Sequence, residues 1–207
     1  MTGRKSDKAW IARHVRDPYV QQARRQGYRS RAAFKLIELD ERDRLLRPGI
    51  TALDLGSSPG GWSQVAAQRI GHTGCVVAVD LLGMESVAGV AFVRGDLRDP
   101  SVREQLNKVL GGRPVDLVLS DMAPNLSGVA ASDEARAQEL VEIAVSVSSA
   151  LLRPEGVALV KLFHGSGLEA LIGAMRTVFR SVVIRKPPAS RSRSSEVYAL
   201  CRGLFPR

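Results

Sequence analysis

From Ile50 onward the chain alternates short apolar segments of strand length with amphipathic helical ones, and this alternation restricts the architecture more than any other feature. The candidate strands are Ile50–Leu55, Cys75–Leu82 (with its last apolar-paired position at Asp80), Val90–Arg94, Val115–Ser120, Val157–Phe163, Ser181–Arg185 and Glu196–Cys201. Helical stretches lie between them at Gly61–Ile70, Pro100–Leu110, Ser132–Leu152 and Leu168–Phe179. Strands bridged by helices demand right-handed crossovers and a mainly parallel sheet with helices on both faces. The last two strands are joined only by the Pro/Ser/Arg-rich loop Lys186–Ser195. A parallel connection takes about a dozen residues or more, usually with a helix, so this pair is expected to be antiparallel. The expected fold class is α/β: a doubly wound, mostly parallel seven-stranded sheet with an antiparallel last strand.

Upstream, residues 1–30 carry charge, few aliphatics and no sustained period. They read as a basic N-terminal arm with at most one helix, ahead of a domain spanning 31–207. Arg31–Leu46 reads as a helix, with Ser30 as its N-cap and Pro48-Gly49 as its stop. The full length of 207 residues suits one domain with such an arm. Usage of 44% hydrophobic and 25% charged residues excludes a disordered chain. No apolar run approaches the ~20 residues of a membrane helix. The polar, basic Met1–Lys8 shows no secretory signal. Cys75 and Cys201 form no CxxC, which excludes a disulfide scaffold and fits a cytoplasmic setting.

Charge is unevenly placed. Residues 1–35 hold ten Lys/Arg against two Asp, and residues 185–207 hold six against one Glu, whereas the middle is mildly acidic. Basic ends of this kind are either one face for a polyanion such as RNA or two solvated tails.

Ligands of doubly wound sheets bind beyond the carboxyl ends of the strands. There the sequence places Asp54-Leu55-Gly56-Ser57-Ser58-Pro59-Gly60-Gly61-Trp62 after the first strand. Its glycines admit close backbone approach, either to a ligand or in a tight strand–helix turn. The loop lacks the G-x-G-x-x-G spacing of a pyrophosphate site, which disfavours a nicotinamide dehydrogenase. Asp80, Asp96 and Asp121 end the next three strands. Singly, such residues are most often turn or cap residues; three in succession beside a glycine loop point to a ligand site. Lys161 interrupts the hydrophobic strand Val157–Phe163. It either snorkels to the sheet edge or projects into the cleft, where its acidity can be shifted. His14, His72 and His164 have no ligand spacing, so no metal is expected.

The segments D-L-G-S-S-P-G-G-W-S-Q, S-D-M-A-P-N-L-S-G, V-K-L-F and S-R-S-R-S-S-E-V-Y-A-L, in that order, closely resemble the FtsJ/RrmJ (RlmE) family. The upstream D-P-Y-V and G-Y-R-S-R-A-A-F-K-L resemble it too, so the similarity runs from about Asp17 to Leu200. That family comprises S-adenosyl-L-methionine-dependent ribose 2′-O-methyltransferases of large-subunit rRNA, with a Rossmann-like fold. The resemblance implies a Lys-Asp-Lys-Glu tetrad at Lys35, Asp121, Lys161 and Glu196. It implies S-adenosyl-L-methionine binding by Gly60, Trp62, Asp80, Asp96 and Asp121. It implies a cytoplasmic, monomeric enzyme acting on a uridine ribose of 23S rRNA, within the 50S subunit. Ser57-Ser58 departs from the Ala-Ala expected in many members; both pairs are small.

Such chemistry needs an in-line alignment of oxygen, methyl carbon and sulfur, with removal of the 2′-hydroxyl proton. Lys161 is expected to deprotonate or orient that oxygen. Lys35 nearby would favour the neutral amine, and Asp121 and Glu196 would oppose it. Arg29 and Arg31 lead into Lys35, and Arg191 and Arg193 lead into Glu196, so these four are expected to meet RNA phosphates. Two alternatives remain: methylation of tRNA or an mRNA cap, and a non-catalytic RNA-binding assembly factor.

Overall fold

The computed structural model describes residues 16–125, 127–165, 167–191 and 193–206. Residues 1–15 of the basic arm, with His14, lie outside the described residues. In chain order the elements are α1 (Pro18–Gln26), α2 (Ala32–Asp43), β1 (Thr51–Leu55), α3 (Gly61–Ile70), β2 (Cys75–Asp80), β3 (Val90–Arg94) and α4 (Pro100–Leu110). They continue with β4 (Val115–Ser120), α5 (Ala130–Leu151), β5 (Leu152–Phe163), α6 (Leu168–Val178), β6 (Phe179–Arg185) and β7 (Glu196–Leu204).

The strands form one sheet in the order β3-β2-β1-β4-β5-β7-β6. β7 is antiparallel to both β5 and β6, and the other pairs are parallel. The order reverses between β1 and β4, and a crevice opens there at the carboxyl ends. Both faces are covered. Leu159, Tyr198, Leu200, Leu117 and Leu119 pack with Leu36, Trp62 and Val65 under α2 and α3. The alternate positions Ala158, Val160, Ala199 and Cys201 pack with Leu106, Val141, Ala144 and Met175 under α4, α5 and α6. This period-2 division makes Lys161, two residues beyond Leu159, share a face with the α2 side.

Several boundaries shift by one to three residues from the sequence reading, and the differences around β5 and α2 have a local cause. The long helix stops at Leu151, before Pro154 can stop it, because Arg153 precedes a proline and is biased to extended backbone. β5 therefore starts at Leu152 and runs through Pro154 and Gly156, with a register shift against β4 between Val115 and Leu117. α2 ends at Asp43, where Arg44 takes a left-handed φ of 53° and its N–H donates to the Asp40 carbonyl. Leu45 and Leu46 are buried beyond that end, and the Leu46 N–H donates to the Asp40 carboxylate at 2.6 Å. The N-cap position of α2 is Arg31, with no side-chain cap bond, not Ser30.

The basic stretch before the sheet is docked on it from Asp17 onward. Asp17 accepts the Tyr19 N–H at 3.0 Å, Pro18 sets the first turn, and Gly27 closes α1 with φ 75°. Ala23 packs with Phe34 and Ala189, and the Tyr28 ring meets Phe34 edge-on.

The edge strand β6 is tied to α2 by Arg185, whose guanidinium donates to both carboxylate oxygens of Asp43 at 2.8–3.2 Å. Those bonds hold the Asp43 carboxyl below its ordinary 3.8. The stabilisation is therefore present above that pH and is lost as pH falls through the lower folded-state value. Asp43→Asn is expected to cost about 1.5–3 kcal/mol near neutrality, the scale of a charged hydrogen bond. Urea unfolding should show the gap to wild type closing as pH falls below about 4.

Candidate active site

Two cations and two carboxylates meet where β4, β5, β7 and α2 come together. Lys35 comes from the first turn of α2, Asp121 follows β4, Lys161 stands near the end of β5, and Glu196 opens β7. Lys35 Nζ lies 2.8 and 2.9 Å from the two Glu196 carboxylate oxygens and 4.0 Å from Asp121 Oδ1. Lys161 Nζ lies 2.7 Å from Asp121 Oδ1 and also donates to the Asp121 backbone carbonyl at 3.0 Å. Lys35, Lys161 and Glu196 are all buried. The structure thus brings all four tetrad positions together.

A fifth member was missed by sequence reasoning. Tyr198 donates its hydroxyl to Asp121 Oδ1 at 2.6 Å, and its ring lies 6.0 Å from Lys35 Nζ. Burial, then the Asp121 and Glu196 charges, push its phenol well above the ordinary 10.0, so it is a fixed neutral donor. Its signal was the strand period: Glu196 and Tyr198 are two apart and share a face.

Beside this cluster a cavity of about 550 Å³ opens at the carboxyl ends, lined among others by Gly56, Asp80, Asp96, Asp121, Leu82 and Ile143. Asp80 accepts the N–H of Ser58 at 2.8 Å and of Leu82 at 2.7 Å, which binds the glycine loop to the next strand end. Asp96 is paired with Arg98, whose guanidinium bonds hold the carboxyl below its ordinary range and whose other arm reaches Glu139. Gly56 has φ 73°, and a Cβ there would run into the Met122 side chain.

Gly60 and Trp62 do not line this cavity. Gly60 caps α3 with φ 109°, and a Cβ there would lie 2.9 Å from Arg29 Nη1 and 3.0 Å from Met84 Sδ. Trp62 is buried, donates its indole N–H to the Ala32 carbonyl at 2.8 Å and stands 5.7 Å from the Tyr198 ring. Both therefore set the loop and the packing behind the cluster.

The four arginines expected to meet RNA divide into two kinds. Arg29 donates to the carbonyls of Pro59, Glu85 and Ser86 at 2.7–3.2 Å, latching the segment after β2 over the glycine loop. Arg31 is paired with Asp17 at 3.1 Å, donates to the Ala189 carbonyl and stacks 5.6 Å from the Tyr19 ring. Arg191 and Arg193 are exposed on the loop before β7, Arg191 reaching Asp17 at 3.4 Å.

The cavity fits a nucleoside carrying a polar tail. Apolar walls from Leu82, Leu97 and Ile143 suit a purine, and carboxylates stand where hydroxyl and amino donors would need acceptors. Two buried oxygens at the loop, Asp54 Oδ1 and Ser57 Oγ, have no partner among the described residues. Among those residues no cluster of three His, Cys, Asp or Glu is arranged to hold a metal ion.

Asp54, near the end of β1, is the second group that sequence reasoning passed over, although a lone carboxylate in an apolar strand is the same signal as Lys161. It is buried and accepts the Ser63 hydroxyl at 2.6 Å. Burial raises its carboxyl from 3.8 to about 7, with the Ser63 bond opposing and the Asp121 and Asp80 charges adding. Between those pH values the folded protein holds one more proton than the unfolded chain, so stability falls as pH rises through that window. Asp54→Asn keeps the Ser63 bond and is expected to abolish that decline. Urea midpoints from pH 4 to pH 8 should show the variant gaining on wild type; parallel curves would contradict the buried acid.

The FtsJ-like methyltransferase family matches residues 28–204. A protein of Methylobacillus flagellatus named "Ribosomal RNA large subunit methyltransferase E" is 52% identical over 200 residues, covering 97% of each chain. One of the same name from Chromohalobacter salexigens is 52% identical over 199 residues, covering 96% of this chain and 95% of its own. Among solved structures, a ribosomal RNA methyltransferase from Plasmodium falciparum superposes with a TM-score of 0.76 at 28% identity, covering 87% of this chain and all of that one. Human methyltransferase-like protein 13, solved with SAH, shares the fold with a TM-score of 0.55 at 19% identity, over 83% of this chain and 79% of its own. By a match that spans most of its length, the chain belongs to the FtsJ-like methyltransferase family.

Proposed function

We propose that the chain transfers the methyl group of S-adenosyl-L-methionine to the 2′-hydroxyl of a uridine ribose in 23S rRNA, within the large ribosomal subunit. The observation that carries this reading is the meeting of Lys35, Asp121, Lys161 and Glu196 beside a nucleoside-sized cavity that Asp121 itself lines. The large-subunit rRNA named for its relatives supports the substrate. S-adenosyl-L-methionine, held against Asp80, Asp96 and Asp121, supplies an electrophilic sulfonium methyl. The chain supplies alignment and proton removal, which is all that an oxygen nucleophile requires here.

Lys161 is the residue that meets the 2′-oxygen. Its Nζ donates to the Asp121 carboxylate and to the Asp121 carbonyl. Those two bonds direct the remaining side of Nζ to the 2′-oxygen, where Lys161 orients the hydroxyl or takes its proton. Tyr198 holds the Asp121 carboxylate in place, and Glu196 holds Lys35 beside it. Arg191 and Arg193 meet RNA phosphate from the exposed loop, while Arg29 and Arg31, already bonded within the chain, act as positioning residues at the edge of the same face. A cytoplasmic setting and monomeric action belong to the same reading.

Transfer of labelled methyl is expected on 50S particles in preference to 30S particles, tRNA and free RNA, with the label on the ribose of one uridine. Lys161→Ala is expected to lower kcat by about 10²–10⁴-fold, the usual worth of a positioned acid or base. Affinity for S-adenosyl-L-homocysteine, measured by calorimetry, should stay within about twofold of wild type. Full activity in that variant, or label on a base, would overturn the reading.

A further inference from the structure

A second cavity, of about 280 Å³, lies on the other flank of α5 and is lined among others by Pro124, Glu134, Gln138, Phe163, His164 and Ser195. Helix α5 separates the two cavities. Arg136, Glu139, Leu140 and Ile143 face the larger one, and Glu134, Ala137, Gln138 and Val141 face the smaller, each set at helical spacing. Pro124, just after Asp121, lines both. No tetrad residue lines the smaller cavity, but two of its wall residues adjoin the tetrad. The Phe163 ring lies 5.9 Å from Lys161 Nζ, and Ser195 is bonded to Glu196 in the chain.

We propose that this second cavity is the subsite for the nucleobase of the nucleotide being methylated, and that it tells uracil from cytosine by the hydrogen-bonding edge of the base; the inference rests on the ribose-methylation reading. Four observations carry it. The volume falls just below the roughly 300–1,000 Å³ of sites for drug-sized ligands, which suits a single ring better than a second cofactor. The Phe163 ring is half-buried, so a face or edge is open to stacking, the usual way an unstacked base is held. The rim offers both kinds of hydrogen-bonding group. Glu134 accepts the Gly167 N–H at 3.1 Å and is fixed in the wall by it. Gln138 donates one N–H to Glu142 at 3.0 Å, which leaves its other N–H and its carbonyl oxygen able to bond a ligand. Finally, Asp133 and Glu134 make the wall acidic, so a base is admitted and a phosphate is repelled.

The ribose oxygen belongs at Lys161, and the base is joined to the neighbouring ribose carbon, so the base must lie close to that amine; the Phe163 ring stands 5.9 Å from it. Donor and acceptor would then reach the tetrad from opposite flanks of α5.

The test uses the full chain and two sets of 50S particles, one with the mapped target uridine and one with cytidine at that position. Wild type is expected to methylate the uridine particle about tenfold faster in kcat/KM, the scale of one good hydrogen bond. Gln138→Ala, on the exposed face of α5, should bring the two particles within about twofold of each other, with S-adenosyl-L-homocysteine affinity unchanged. Phe163→Leu keeps an apolar filler but loses the ring, and should slow both particles about tenfold. The subsite is overturned if wild type treats the two particles alike, if Gln138→Ala slows both by one factor or neither, or if Phe163→Leu matches wild type. In each of those cases methylation of the ribose by wild type leaves the parent reading standing; failure of wild type to methylate any particle removes both.

Discussion

The antiparallel pairing of β7 against β5 is the constraint on which the site depends. A strand that ran parallel to β5 would present its last residues at the cleft and hide its first. Reversed, β7 presents its first residues there, and the register sets Glu196 opposite Phe163 and Tyr198 opposite Lys161. Directly opposed residues share a face. The pairing therefore puts the Glu196 carboxylate, the Tyr198 phenol and the Lys161 amine on the α2 side, where Lys35 descends from the first helical turn. Asp121 arrives independently, as the residue that follows the parallel strand β4.

Such a cluster is a poor way to stabilise a fold. Charges removed from water lose several kcal/mol each, and their mutual attraction repays this only with good geometry and further hydrogen bonds. Here two cations balance two carboxylates, and the oxygen of Asp121 that meets Lys161 also receives the Tyr198 hydroxyl. An apolar set of similar volume would serve packing as well or better. The fold nonetheless holds these groups rigidly, with Trp62 and Leu159 packed behind them. Asp54 repeats the pattern one strand away, as a buried acid whose second oxygen has no partner among the described residues.

Much of this was legible because two local rules agree. Apolar runs of strand length between helical periods fixed six of the seven strands to within a few residues, and the short loop Lys186–Ser195 fixed the antiparallel turn at the end of the sheet. The errors fell where a third influence acts. Pro154 and Gly156 read as a helix stop, yet extended backbone begins at Leu152 and the strand carries the proline through an irregular register. Beyond the boundaries, the partners of Arg29 and Arg31 within the chain were not legible, because a run of arginines carries no mark of which carbonyls it will meet. Their partners, Glu85, Ser86 and Ala189, lie 56 to 158 residues away in sequence. Tyr198 and Asp54 were within reach: each is a polar group interrupting a buried strand, the feature that made Lys161 conspicuous.

The fate of the two arginines alters how the basic N-terminal segment is understood. Positive charge at the start of the chain is a reason for RNA to approach, but the charge of Arg31 is paired with Asp17, and the guanidinium of Arg29 is held by three backbone carbonyls. Arg31 and Arg191 converge on one carboxylate, Asp17, so the segment before α1 and the loop before β7 are held to each other. Arg29, from the same segment, holds the glycine loop and the chain after β2. Segments at the two ends of the chain are thereby joined to the cofactor-side loop through a few guanidinium bonds, and Lys35 and Glu196 each stand within a few residues of that connection. A phosphate that drew Arg191 away from Asp17 would act on the same loop that delivers Glu196. Of the described part of the N-terminal stretch, Arg29 thus belongs to the frame around the candidate site, whereas Arg24 and Arg25 are exposed and open to a polyanion.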